Sequence, residues 1–176
     1  MIAGGCAISL HLRRLVRPHK DVDVAIFRED QGALQNHLEA WQLYVAHEGV
    51  LRPWPRGVQL TLWEHVVWAW RPEAAAGRVD LQPDFELLLD ERTGTHWMSR
   101  RDPSITLSLE IVCLRGPHNL PYLAPEIVLL YKSKDTREDD HTDFQAALPS
   151  LSTRQRAWLA GAVRRLDPSH PWLQRL

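Results

Sequence analysis

Asp21-Val22-Asp23-Val24-Ala25-Ile26-Phe27 alternates in the manner of a β-strand. Side chains two apart on a strand share a face, so Val22, Val24 and Ile26 point one way and Asp21, Asp23, Ala25 and Phe27 the other. Both carboxylates are then displayed side by side. Like charges that close repel and tend to keep a proton unless a cation lies between them. A divalent ion, Mg²⁺ or Mn²⁺, held by carboxylate oxygens with phosphate oxygens completing its shell, resolves the conflict. A solvated edge strand presents the same spacing, so the pair alone does not decide the function.

A second acidic stretch adds weight. Asp80 to Asp90 reads as a strand with Asp84, Glu86 and Asp90 on one face and Phe85, Leu87 and Leu89 on the other. Beside the first strand, it would bring three carboxylates together. Such a set suits an in-line phosphoryl or nucleotidyl displacement, with one carboxylate activating the attacking hydroxyl. The competing reading is a hydrated face ahead of a turn. Gly4-Gly5 stands at a strand-to-helix junction, where glycine lets the backbone approach a phosphate and a helix N-terminus offers free N–H groups. Neither G-x-x-x-x-G-K-[ST] nor G-x-G-x-x-G is present.

Around these stretches the pattern predicts a helix over Cys6–Leu15, stopped by Pro18. A second helix is expected from an Asp30 N-cap to about His47, with Leu34, Leu38, Trp41 and Val45 as its apolar stripe and Gly49 past its end. Pro53-Trp54-Pro55 reads as a loop, and Val58, Leu60 and Leu62 alternate like a strand. Ala74–Gly77 is a turn, Arg92-Thr93-Gly94 a hairpin signal before a strand over His96–Arg100, and Ile105–Ile111 alternates again. Three helices follow: Pro125 to about Lys134, Asp139–Leu148, and one opened by the capping box Ser152-Thr153-Arg154-Gln155. The order makes an α+β chain, one domain over 1–176 with a sheet-containing core (1–115) and a helical C-terminal part (116–176).

Composition narrows the classes. The 176 residues are 44% hydrophobic and 24% charged, ordinary for one globular domain and against disorder. A net charge of −1 lacks the basic footprint of a nucleic-acid binder. Two cysteines make neither a disulfide framework nor a zinc knuckle, and no signal-peptide layout or membrane-length apolar run is visible; a cytoplasmic setting is expected.

Gly4-Gly5, a helix, Asp21-Val22-Asp23 and a distant acidic strand together resemble the nucleotidyltransferase superfamily typified by DNA polymerase beta. The match is closer to the small bacterial aminoglycoside and lincosamide nucleotidyltransferases, in Gly4-Gly5-Cys6-Ala7-Ile8-Ser9, Arg17-Pro18-His19-Lys20-Asp21-Val22-Asp23 and Asp84-Phe85-Glu86. Leu130-Tyr131-Lys132-Ser133-Lys134 with Arg137 and Asp143 is similar to a helix-borne lysine-arginine-aspartate cluster in the same relatives. Ser9 stands where those relatives often have Asp, Arg13 where they often have Gly, and only three residues precede the Gly-Gly turn where they carry a helix and a strand.

The resemblance implies a nucleotidyltransferase-type mixed sheet flanked by helices. It implies metal-dependent transfer of a nucleoside monophosphate, usually AMP from ATP, onto a hydroxyl of a small molecule such as an aminoglycoside or lincosamide, releasing pyrophosphate. Asp21, Asp23 and Asp84 would bind Mg²⁺ or Mn²⁺, and Asp84 or Glu86 would serve as third carboxylate and general base. Gly4 and Gly5 would approach the triphosphate, with Arg17 and His19 beside it. Lys134, on the buried-side stripe of its helix, would reach the triphosphate or extend to solvent, and Lys132 ranks below it. Other readings are a transferase acting on protein or tRNA, and a truncated, non-catalytic nucleotide-binding or interaction domain.

The remaining candidates carry less. The other histidines have no zinc-site spacing, no serine sits in a nucleophile elbow, and Cys6 has no base partner. Trp54, in a loop between two prolines, is the tryptophan to test for stacking an aromatic or sugar ligand, the others being more often core. An apolar edge left by the short N-terminal stub would make a second copy of the chain a candidate partner, giving a homodimer.

Overall fold

Residues 1–72 and 82–176 are described by the computed structural model; the expected turn at Ala74–Gly77 and the start of the second acidic strand lie outside them. The chain runs α1 (Gly4–His11), β1 (Asp23–Phe27), α2 (Gln31–His37), β2 (Gln42–His47), β3 (Val50–Pro53), β4 (Val66–Trp70), β5 (Phe85–Thr93), β6 (His96–Met98) and β7 (Thr106–Ser108). A short α3 (Leu109–Val112), β8 (Cys113–Arg115) and β9 (Pro121–Leu123) lead into α4 (Pro125–Lys132), α5 (Glu138–Ala147) and α6 (Thr153–Leu166).

Seven strands form one mixed sheet, in which β3-β2-β4-β5-β6-β7 are successive neighbours and β1 joins at β5. The β1–β5 pair is parallel, with Asp23 opposite Glu86, Ala25 opposite Leu88 and Phe27 opposite Asp90. The other pairings are antiparallel. Met1–Ala3 lie extended between β1 and β9: Ala25 N–H donates to Met1 O and Leu123 N–H to Ile2 O, both at 2.8 Å. The far edge of β1 is therefore hydrogen-bonded rather than bare.

Two cores flank the sheet. Ile8 of α1 packs with Ile127, Leu129 and Leu130 of α4, Phe144 of α5 and Leu159 and Val163 of α6. Val45, Val67, Leu87 and Leu89 pack with Trp54 and Leu60 on the other side. Truncating a buried leucine such as Leu129 to Ala would cost about 2–5 kcal/mol. The helices thus share one core with the first turn of the chain, and position 116 lies in the loop of the β8–β9 hairpin.

Several elements differ from the expectation. The long helix to His47 stops at His37, and Gln42–His47 and Val50–Pro53 form a hairpin. Gln42-Leu43-Tyr44-Val45-Ala46-His47 has strand alternation as well as helical spacing, and Glu48 and Gly49, with φ of 50° and 74°, supply the left-handed pair of a tight hairpin turn. The first helix ends at His11 because Arg13 takes a left-handed φ of 53°. Val58–Leu62 is not a strand, and Ile105–Ile111 divides into β7 and the start of α3. Trp54 is 5% exposed, and its indole N–H donates to Val58 O at 2.8 Å, so it is a core residue and no ligand platform. The capping box at Ser152 and Gln155 forms as read.

Candidate active site

Gly4 and Gly5 turn the extended Met1–Ala3 segment into α1. Gly4 has φ +56°, and a Cβ there would overlap Asp23 Oδ2. A Cβ on Gly5 would meet His19 Cε1 at 2.7 Å and Arg17 Nη2 at 2.8 Å. Bare backbone is thus required where Asp23, Arg17 and His19 close over the helix start.

The parallel register sets Glu86 across from Asp23, and both line a cavity of about 420 Å³. Its floor continues along the two strands through Ala25 and Leu88 to Asp90, and α4 walls it with Val128, Tyr131 and Lys132. A smaller, charged cavity of about 180 Å³ adjoins it, lined by Gly5, Arg17, His19, Asp21, Asp23 and Glu86, with Lys132 and Arg137 shared between the two.

Burial pushes the Glu86 carboxyl up to about 7, and the charges of Asp23 and Asp21 act in the same direction. Burial likewise pushes Asp23 up to about 6, Asp21 adding to it, while Lys132, Arg137 and Arg17 pull it back only in part. Neither Asp23 nor Glu86 makes an ion pair with a described residue. Asp21 accepts a hydrogen bond from Gln82 Nε2 at 3.3 Å.

The cations around the pair are themselves held by α5. Arg17 donates Nε and Nη2 to the two oxygens of Asp143, at 3.2 and 3.0 Å, and its Nη1 lies 3.1 Å from Asp139. Lys132 Nζ lies 2.6 Å from Asp140 and 3.0 Å from Asp143. Arg137 completes a capping box with Asp140 at the start of α5. At the far end of the larger cavity, buried Asp90 accepts from Tyr131 Oη at 2.5 Å and from Trp97 Nε1 at 3.1 Å.

The expected residues fall into three groups. Gly4, Gly5, Arg17, His19, Asp21, Asp23 and Glu86 converge. Lys134 lies beyond the C-terminus of α4, which ends at Lys132, and is exposed on the rim of the larger cavity rather than on a buried stripe. Asp84 does not join them: it is bound by Arg71 through its backbone N–H at 2.9 Å and its guanidinium at 2.8 and 3.1 Å, and lines neither cavity. His19 holds Ser9 Oγ at 3.0 Å, and burial followed by the Arg17 charge pushes its imidazole down. Lys132, ranked below Lys134 by sequence, is the better placed of the two. Asp139 and Asp140 went unread, although three acids in the first turn and Asp143 one turn on were the available signal.

A metal ion can be tested against these groups. Among the described residues no three His, Cys, Asp or Glu side chains are spaced to cage an ion by themselves. Mg²⁺, however, is usually held by one or two carboxylates together with substrate phosphates. Two repelling carboxylates without an ion-pair partner among the described residues, beside Asp21 and a cationic rim, fit that mode.

No family model and no curated protein matches the chain. Among solved structures, the crystal structure of ANT(2'')-Ia in complex with adenylyl-2''-tobramycin matches with a TM-score of 0.56, over 93% of this chain and 86% of that one, at 14% identity. The chain shares the mixed α+β fold of this solved neighbour. The solution structure of the antibiotic-resistance factor ANT(2'')-Ia matches with a TM-score of 0.54, over 93% and 80% of the two chains, at 15% identity. At such identity the likeness bears on the fold, and the chemistry has to be argued from the side chains.

Proposed function

We propose that the chain is a metal-dependent nucleotidyltransferase that moves a nucleoside monophosphate, AMP from ATP, onto a hydroxyl of a small amine-rich molecule of the aminoglycoside type. The observation that carries this reading is the half-buried Asp23–Glu86 pair at the Gly4-Gly5 turn, without an ion-pair partner among the described residues yet ringed by Arg17, Lys132 and Arg137. Asp21 and Asp23 are the residues that would hold Mg²⁺ or Mn²⁺. Such an ion, when bound, neutralises triphosphate charge and polarises the phosphoryl group under attack.

Glu86 accepts the proton of the acceptor hydroxyl; a carboxyl titrating at about 7 is matched to that task at neutral pH. The acceptor oxygen forms a bond to the α-phosphorus, the bond from that phosphorus to the bridging oxygen breaks, and pyrophosphate leaves with the electron pair. Arg17, Lys132 and Arg137 face the growing charge of the leaving group. The exposed carboxylate of Asp135 on the rim of the larger cavity suits an acceptor carrying amines. The adenylyl group named with the solved neighbour supports ATP as donor.

The test is incubation with α-labelled ATP, GTP, CTP or UTP, Mg²⁺ and pooled aminoglycosides and lincosamides, following label transfer and pyrophosphate release together. Transfer to one drug supports donor and acceptor at once. A folded protein that neither transfers nor binds nucleotide overturns the reading.

A further inference from the structure

Asp143 is a fully buried carboxylate that bonds two cations from different parts of the chain. Arg17 comes from the loop before β1, Lys132 from the end of α4, and both line the charged cavity. Lys132 is also held by a second buried carboxylate, Asp140, at 2.6 Å, while the two-pronged Asp143 contact fixes the plane of the Arg17 guanidinium. Asp139 differs: its side chain is 55% exposed, and it touches only the outer nitrogen of the same arginine. The α5 acids therefore form two tiers, the buried Asp140 and Asp143 that hold the cations and the exposed Asp139 on the wall of the charged cavity.

We propose that Asp143 is a positioning residue that aims Arg17 and Lys132 at the β- and γ-phosphates of the donor, and that Asp139 is a built-in competitor for Arg17 that the triphosphate displaces. This rests on the proposed nucleotide site. The two carboxylates then have opposite effects on binding, although each carries the same charge a short distance from the same arginine. Plain electrostatics gives them the same sign, because deleting either negative charge would strengthen the hold on a polyanion.

Isothermal titration calorimetry with Mg²⁺-ATP and with AMP tests this on the wild type, Asp143→Asn and Asp139→Asn. Asp143→Asn is expected to weaken ATP binding about tenfold, as for loss of a charge-assisted hydrogen bond, with AMP affected less than about twofold. Asp139→Asn is expected to tighten ATP binding about twofold. Tighter or unchanged ATP binding by Asp143→Asn, or equal weakening of ATP and AMP, overturns the positioning role. Weaker or unchanged ATP binding by Asp139→Asn overturns the competitor. Should Asp143→Asn fail to fold, Asp143→Glu, which keeps the charge but moves the carboxylate off the Arg17 plane, must give the same ATP-selective loss, and unchanged ATP binding by it overturns the positioning role. A folded wild type that binds no ATP removes the nucleotide site itself and this inference with it.

Discussion

Replacing Glu86 by Gln should stabilise the protein while abolishing its activity. The Glu86 carboxyl, ordinarily at 4.5, is lifted to about 7, first by burial and then by the charges of Asp23 and Asp21. In the unfolded chain the proton leaves near 4.5; in the folded chain it stays until about 7. Between those values the folded state binds the extra proton, so raising the pH lowers stability, and the loss is complete above the folded value. A rise of that size corresponds to roughly 3 kcal/mol. Gln keeps the shape and has no proton to lose. The difference in unfolding free energy between Glu86→Gln and wild type should thus be small below pH 4.5 and reach about 3 kcal/mol in favour of the variant at pH 8. For a chain of this length that is a melting-temperature gain of about 10 °C. His65, pushed down to about 4 chiefly by burial, titrates with the opposite sign, but it is common to both proteins and drops out of the difference. Urea unfolding of both proteins from pH 4 to 8 measures the curve. A flat difference, or a variant less stable at pH 8, would refute the account of Glu86 as a desolvated, repelled carboxylate.

Three further outcomes follow from the same geometry. Gly4→Ala places a Cβ onto Asp23 Oδ2 at a left-handed residue, so it should lose at least about 1–2 kcal/mol of stability in thermal melts and abolish nucleotidyl transfer. Mg²⁺ should raise the melting temperature of the wild type at pH 8, where the carboxylates are ionised, and leave Asp23→Asn unmoved; an equal shift in both would place the ion elsewhere. Tyr131→Phe takes the 2.5 Å donor from buried Asp90 and should cost about 1–3 kcal/mol in urea unfolding, a loss that an unaffected midpoint would contradict.

Much of the sheet-to-helix turn was legible because it depends on local rules. The Asp23–Phe27 strand, which leaves Asp21 and Val22 in the loop before it, the Gly4-Gly5 turn and the Ser152 capping box each follow from a few neighbouring residues. Leu34, Leu38, Trp41 and Val45 fit helical spacing, but Gln42–His47 also fits a strand, and the Glu48-Gly49 turn and the pairing with β4 decided between them. Choosing between Asp84 and Glu86 needed the parallel β1–β5 register, a contact across some sixty residues that alternation cannot encode. Lys132 and Lys134 were separated by where α4 stops, and Trp54 by which side of its loop the core lies on. Arg17 and Asp143 are 126 residues apart, and only the packed fold joins them.

The central claim is tested most directly by one reaction run side by side with wild type and Asp23→Asn: α-labelled ATP, Mg²⁺ and an aminoglycoside, with labelled adenylyl product and pyrophosphate counted in the same tube. The account predicts equimolar product and pyrophosphate from the wild type, and a loss of at least about a thousandfold in Asp23→Asn. No transfer by a folded wild type, or undiminished transfer by Asp23→Asn, would contradict it.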